Sequence, residues 1–219
     1  ALFRFLFLSH FLIFFFGESV RMILTSLQQT AIDAWKAGKN VRIMAVPGAG
    51  KSRVLIEACL SCDSPCVILA YNRELCQQTK EKLAAVGLSD RVMCMTFHGL
   101  ATYCVAPTHD DVALADVLER LDSGAQAARR LTGIGKVLID EAQDFRPSFL
   151  RLIRHLIQMD EDTQYMPVGD LRQMLYDYSD DDPASLEYLQ RPEAFFVSSR
   201  EWASVALDET HRMTPEMTY

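Results

Sequence analysis

A glycine-rich segment between a predicted strand and a predicted helix constrains the fold of this 219-residue chain more than any other feature. Residues Ala45–Ser52 read AVPGAGKS, after the apolar run Val41–Val46 and before the helical pattern Ser52–Leu60. The glycines allow backbone N–H groups to approach phosphate oxygens, and the helix start adds the positive end of its dipole. We predict a phosphate-binding loop (P-loop) in which Lys51 reaches the β- and γ-phosphates and the Ser52 hydroxyl holds Mg²⁺. The predicted nucleotide contacts of this loop are Pro47, Gly48, Ala49, Gly50, Lys51, Ser52 and Arg53.

Short apolar runs alternate with helical patterns along the chain. The runs with strand character are Val41–Val46, Val67–Tyr71, Val92–Thr96, Val137–Ile139 and Tyr165–Val168. The helical patterns are Ser52–Leu60, Arg73–Val86, Ala113–Leu121 and Ser148–Gln158. This alternation indicates an α/β fold with a parallel sheet and helices on both faces, in which ligands bind beyond the carboxyl ends of the strands.

Two carboxylates directly follow the fourth predicted strand. Asp140 and Glu141 would lie at the carboxyl edge of the sheet, beside the P-loop. There Asp140 would hold Mg²⁺, largely through water, and Glu141 would polarise the water that attacks the γ-phosphate. The alternative is an acid pair that caps a helix, a role that Asp144 or Ser148 could fill alone. Together with the P-loop, the pair predicts a nucleoside triphosphatase.

Seven segments in register carry a resemblance. They are Leu24–Gln29 (LTSLQQ), Ala45–Ser52, Val67–Glu74 (VILAYNRE), Thr96–Ala101 (TFHGLA), Asp140–Asp144 (DEAQD), Val168–Tyr176 (VGDLRQMLY) and Leu207–Met217 (LDETHRMTPEM). With them, Met22–Tyr219 resembles the first motor domain of UvrD/Rep-type superfamily-1 DNA helicases. The resemblance implies a RecA-like P-loop domain that uses ATP and Mg²⁺ to move on single-stranded DNA or at a junction between single- and double-stranded DNA. It also implies 3′-to-5′ polarity.

The resemblance assigns further site residues. The catalytic set would be Lys51, Asp140, Glu141, Gln173 and Arg212. Gln28 and His211 would contact adenine, and the expected DNA contacts are Tyr71, Asn72, Thr96, Phe97, His98 and Tyr178. Three of these positions have simpler alternatives: Gln28 as a surface residue at a helix start, Phe97 as a core residue and His98 as a structural histidine.

The sequence also departs from the family pattern. His211 stands where relatives usually have Tyr, and Ser179 stands where they commonly have Arg. Residues 103–135 would form a short helical insert with one or two helices, where many relatives hold a whole subdomain. The chain ends at Tyr219, so a second RecA-like domain is an expected partner that the sequence does not contain. We expect the chain alone to bind nucleotide weakly and not to unwind DNA.

The N-terminal segment is strongly apolar. Of its first 16 residues 13 are apolar, and a spanning helix needs roughly 20 such residues. A membrane anchor, a cleaved signal and sequence upstream of a start at Met22 are the three explanations. We favour the third, which makes residues 1–21 an extension outside the fold of an intracellular protein without a stable membrane partner.

Six cysteines and an acidic net charge of −7 limit the remaining possibilities. The spacing Cys59-x2-Cys62-x3-Cys66 invites a zinc interpretation, but no second ligand pair follows, and we predict reduced thiols. Because the net charge is negative, any binding of nucleic acid must come from local groups. Two other functions stay open: a stand-alone module that binds nucleotide and DNA without helicase activity, and a membrane-anchored ATPase.

Overall fold

The computed structural model of the chain describes residues 24–173 and 182–210. Every structural statement below refers to these two ranges. The predictions for residues 1–21 and for Tyr178, His211 and Arg212 lie outside the described residues.

Six parallel strands form one sheet in the order β3-β2-β4-β5-β1-β6. Their bounds are β1 Asn40–Ala45, β2 Cys66–Ala70, β3 Val92–Thr96, β4 Lys136–Ile139, β5 Gln164–Gly169 and β6 Trp202–Leu207. The prediction of a parallel α/β sheet is therefore confirmed, and the carboxyl ends of all six strands meet at one edge.

Seven α-helices connect and cover these strands in the described part of the chain. They are α1 Ser26–Lys36, α2 Lys51–Leu60, α3 Arg73–Ala85, α4 Phe97–Cys104, α5 Asp111–Asp122, α6 Pro147–Leu156 and α7 Glu187–Gln190. Short 3₁₀ helices span Ala142–Asp144 and Pro192–Ala194. Between residues 103 and 135 the structure has the single complete helix α5.

Two apolar cores lie on opposite faces of the sheet. In β4, Val137 and Ile139 belong to one core and Leu138 to the other, because side chains alternate along a strand. The first core also contains Phe97, Phe145 and Phe149, and the second is built around Trp35 and the helix α2. Burial on both faces explains why the central strands are continuous apolar runs.

Helix α4 and strand β6 are among the elements that the predicted patterns do not include. The helix α4 begins at Phe97, immediately after β3, and Thr96 caps it by accepting a hydrogen bond from the Gly99 N–H at 3.0 Å. The strand β6 lies at the sheet edge beside β1, and its residues alternate between buried and more exposed positions toward its end.

The described ranges contain no helix that is long and apolar enough to span a membrane. They also contain no cluster of His, Cys, Asp or Glu side chains suited to a metal ion. All six cysteines are free thiols in the structure.

Candidate nucleotide-binding site

The predicted P-loop connects β1 to α2. Gly48 and Gly50 have φ values of 76° and 86°, in the left-handed region that glycine adopts without a steric penalty. A Cβ atom at Gly50 would lie 2.5 Å from the Nε2 atom of Gln28. Helix α2 begins at Lys51, directly after Gly50, so its first N–H groups face the loop.

Gln28 fastens this loop to the start of α1. Its Nε2 atom donates to the carbonyl oxygen of Ala49 at 2.9 Å, and its Oε1 atom accepts from the Thr25 N–H at 3.1 Å. The side chain is buried, so it is not the surface residue of the alternative interpretation. Both ends of the amide are used by the chain itself, and pairing with adenine would require these bonds to be exchanged.

Asp140 is a buried carboxylate at the carboxyl end of β4. Its Oδ1 atom accepts from the Glu141 N–H at 3.0 Å, and the residue is 2% exposed. Burial, and after it the negative charge of Glu141, raises the pKa of Asp140 to about 6, while the charge of Lys51 opposes the rise. Glu141 has a φ of 51°, which is uncommon for a residue other than glycine.

Lys51 and Glu141 form an ion pair. The Nζ atom of Lys51 lies 2.7 Å from Oε2 of Glu141, and both side chains are largely buried. The Nε2 atom of Gln143 donates to the same Glu141 oxygen at 2.8 Å. The ammonium group that would bind phosphate is thus held by the carboxylate that would activate water.

Gln143 extends this network to the end of β5. Its Oε1 atom accepts from the Asp170 N–H at 2.9 Å, and its Nε2 atom also reaches Oδ2 of Asp144 at 3.1 Å. A Cβ atom at Gly169 would lie 2.5 Å from Gln143 Oε1, so only glycine leaves room for the contact. Asp170 Oδ2 is buried and accepts no hydrogen bond in the described part of the chain.

The remaining predicted site residues in the described ranges near the P-loop and β5 are Ser52, Arg53 and Gln173. Ser52 is in the first turn of α2, and Arg53 pairs with Glu57 one turn later at 2.7 Å. Gln173 is exposed and follows a turn in which its N–H donates to the Asp170 carbonyl at 3.1 Å.

Four of the predicted DNA contacts lie at the carboxyl ends of β2 and β3. Tyr71 is half-buried, and Asn72 caps α3 by accepting from the Leu75 N–H at 2.9 Å. Thr96 caps α4, and the Nε2 atom of His98 lies 3.1 Å from Oδ1 of Asp111. The structure brings these residues to the same sheet edge as the P-loop.

Phe97 is a core residue. Its ring is 2% exposed and stacks on Phe149 with 4.0 Å between ring centroids, and its edge contacts Phe145. A ring covered in this way cannot offer its face to a base. This corrects the expectation that Phe97 contacts DNA and supports the simpler alternative of a core role.

An ion pair that the sequence did not reveal links α5 to the start of α6. Arg146 donates through Nη1 and Nη2 to the Asp111 carboxylate at 3.2 and 3.0 Å, and its guanidinium lies 4.5 Å from the Phe149 ring centroid. These bonds hold the pKa of Asp111 below its usual range. The partners are 35 residues apart, so no local pattern could have paired them.

Replacing Asp140 with asparagine should stabilise the protein at neutral pH. The folded-state pKa lies above the ordinary value, so ionising Asp140 costs stability as the pH rises from about 4 through about 6. Asparagine keeps the acceptor for the Glu141 N–H and removes the buried charge. We expect a gain of ~1–3 kcal/mol at pH 7.5 and none below pH ~4 in urea unfolding. An Asp140→Asn protein that is less stable at pH 7.5 would contradict this account.

The geometry defines a class of protein. A glycine-rich loop between β1 and α2, with the Asp140-Glu141 pair at the end of β4 and β5 lying between these two strands, is the arrangement of a P-loop nucleotide-binding α/β domain. The family model described as "AAA domain" matches residues 28–179, more than half of the chain, and the chain belongs to this family.

Solved structures share the fold. One is a structure of Pif1 helicases that concerns DNA unwinding at forked double-stranded DNA. Its sequence is 19% identical to this chain, the TM-score is 0.51, and the match covers 89% of this chain and 46% of that chain. A Pif1 helicase from Bacteroides with ADP-AlF3 and single-stranded DNA is 21% identical, with a TM-score of 0.50, and the match covers 89% and 44%. The chain thus spans less than half the length of these helicases. No curated protein sequence shows significant similarity to it.

Proposed function

We propose that the chain is the ATP-binding motor domain of a superfamily-1 DNA helicase or translocase, of UvrD/Rep type by its motifs. The observation that carries the proposal is the ion pair between Lys51 and Glu141, joined through Gln143 to the end of β5. This network connects the P-loop to the carboxylates that hydrolysis would need. The 3′-to-5′ direction rests only on the UvrD/Rep resemblance.

ATP and Mg²⁺ fit the residues present. Gly48 and Gly50 adopt the left-handed conformation that a phosphate-binding loop uses, and the buried Asp140 carboxylate has a raised pKa that a divalent cation would lower. Ser52 and Asp140 would hold the ion, which would neutralise charge on the phosphates. The orphan oxygen of Asp170, next to Gln143, is a further acceptor for a water molecule in this cluster.

Binding of the nucleotide would rearrange the ion pair. The γ-phosphate carries more negative charge than a carboxylate, so Lys51 would move from Glu141 to the phosphate. Glu141 would then be free to accept a proton from the attacking water, and Gln143 would keep it oriented. Gln173, and Arg212 outside the described residues, are the proposed γ-phosphate contacts, and His211 is the proposed stacking partner of adenine.

Single-stranded DNA would cross the rim formed by Tyr71, Asn72, Thr96 and His98, with Tyr178 as a proposed stacking residue. The Pif1 structure with ADP-AlF3 and single-stranded DNA supports this proposal by analogy of fold. ATP would lie against a second RecA-like domain, and closure of the two domains would drive movement. Such a domain would supply a further arginine, and without one the rate of hydrolysis can fall by ~10³–10⁵.

DNA binding at this rim can be tested with two matched histidines. His98 and His155 both contact a carboxylate, Asp111 at 3.1 Å and Asp122 at 2.7 Å, but only His98 follows a strand at the rim. We expect His98→Ala to weaken binding of labelled single-stranded DNA at least ~5-fold and His155→Ala to leave it unchanged, as measured by fluorescence anisotropy with a non-hydrolysable ATP analogue.

Two results would contradict the proposed DNA site. Equal losses in both variants would indicate that the rim is not the binding surface. ATP binding without any measurable binding of single-stranded DNA would instead favour a module that binds only nucleotide.

A further inference from the structure

Two thiols outside the nucleotide site face each other at the edge of the sheet. The Sγ atoms of Cys76 and Cys94 are 3.7 Å apart, although the residues are separated by 18 positions in the chain. Cys76 lies in α3 and Cys94 in β3, and both residues are buried. The two sulfur atoms are thus in van der Waals contact.

A surface groove reaches Cys94, the member of this pair that lines it, and Cys76 contacts the Cys94 sulfur. The groove has a volume of about 520 Å³ and is lined by Cys94 together with Lys80, Met93, Met95 and Tyr103. β3 is the outermost strand on this side of the described sheet, so no further strand covers the groove there. A peroxide is small enough to enter.

The position of Cys76 favours its thiolate. Its N–H donates to the Asn72 carbonyl at the start of α3, where the helix dipole stabilises negative charge. The contact with the Cys94 thiol lowers the pKa of Cys76 to about 7, and Lys80 one turn later acts in the same direction. The same contact raises the pKa of Cys94, so the pair holds one proton on Cys94 and presents Cys76 as the nucleophile.

We propose that Cys76 and Cys94 form a peroxide-sensitive site that cycles between dithiol and disulfide. The Cys76 thiolate attacks one oxygen of the peroxide, the O–O bond breaks, and Cys76 sulfenic acid and hydroxide form. The Cys94 sulfur then attacks the Cys76 sulfur, the S–O bond breaks and a second hydroxide leaves. Two thiols and one hydrogen peroxide give one disulfide and two waters. An external dithiol reduces the disulfide to two thiols and is itself oxidised to a disulfide.

The disulfide would join two segments that lead to the rim. Helix α3 begins directly after Asn72, and β3 ends at Thr96. A covalent bond between Cys76 and Cys94 would limit the separation of these segments. This consequence rests on the proposed function, whereas formation of the disulfide does not.

Another thiol pair serves as an internal comparison. The Sγ atoms of Cys62 and Cys66 are 3.3 Å apart, closer than the proposed pair. However, burial and mutual hydrogen bonding raise the pKa of Cys62, and the pKa of Cys66 rises to about 12. If the distance between sulfur atoms alone decided which disulfide forms, Cys62 and Cys66 would be oxidised first. If thiolate character decides, Cys76 and Cys94 are oxidised first.

The reduced full chain would be treated with hydrogen peroxide at pH 7.5, alkylated and mapped by mass spectrometry of its peptides. We expect a cross-link between the peptides of Cys76 and Cys94 and the loss of two of the six free thiols, both restored by dithiothreitol. The double variant Cys62→Ala/Cys66→Ala should still lose two thiols. Cys94→Ala should lose the cross-link.

The cross-links found in the wild-type protein do not depend on whether a variant folds. Circular dichroism would show whether each variant is folded. A cross-link of Cys62 to Cys66 with Cys76 and Cys94 still alkylated would overturn the proposal. Retention of all four thiols by the Cys62→Ala/Cys66→Ala variant would overturn it as well. Neither result would bear on the binding of nucleotide.

Discussion

Lys51→Ala is expected to weaken the binding of Mg²⁺-ATP by roughly 10- to 100-fold. The ammonium group of Lys51 is the proposed phosphate-binding cation of the P-loop, and a charge-assisted hydrogen bond contributes about 1.5–3 kcal/mol. In the free protein this group is paired with Glu141 at 2.7 Å. Isothermal titration with a non-hydrolysable analogue measures the loss, and Lys36→Ala on the exposed surface of α1 is the matched control.

Glu141→Gln should change nucleotide affinity in the opposite direction. Glutamine has nearly the same size as glutamate but cannot form the ion pair, so Lys51 would be available to phosphate without first leaving a carboxylate. We expect affinity to rise several-fold while any hydrolysis is lost, since no base remains for the water. If both variants weakened binding equally, the ion pair would not be competing with phosphate.

Gly169→Ala should lower the free energy of unfolding by ~2–4 kcal/mol. Gly169 is the last residue of β5, and an added Cβ atom would lie 2.5 Å from Gln143 Oε1 and 2.8 Å from Leu189 Cδ2. To relieve this contact Gln143 must move, and its bond to the Asp170 N–H would break. The midpoint of urea unfolding measures the effect when the slope of the unfolding free energy against urea concentration is the same in both proteins.

Gly135→Ala is the control for this substitution. A Cβ atom at Gly135 would meet Ser64 at 3.5 Å, an ordinary van der Waals distance. We expect a change within about 0.5 kcal/mol. A similar loss of stability in both variants would show that the close packing of Gln143 against Gly169 is not what excludes a side chain there.

Local patterns predicted the parts of the fold that depend on neighbouring residues. The P-loop and five of the six strands follow from glycine positions and from apolar runs, and four of these strands lie in the centre of the sheet. Strand β6 was not recognised: Ser204 interrupts its apolar residues, and only two of its six residues are buried. Phe97 was misplaced because an aromatic residue after a strand has the same local pattern whether it faces solvent or the core.

The sequence allowed candidate site residues to be named, but it did not predict the contacts between them. Gln28 was expected at the nucleotide, yet its bond to the Ala49 carbonyl joins residues 21 positions apart. Likewise, the bond from Gln143 to the Asp170 N–H spans 27 positions. Such contacts depend on how the strands are ordered in the sheet, and the sequence does not state that order.

The measurement that tests the central claim most directly is a structure of the chain with Mg²⁺ and a non-hydrolysable ATP analogue. The account predicts that Lys51 Nζ leaves Glu141 Oε2, now at 2.7 Å, and contacts the β- and γ-phosphates, while Gln143 retains its bond to Glu141. A nucleotide bound elsewhere, or one bound at the P-loop with the ion pair intact, would contradict it.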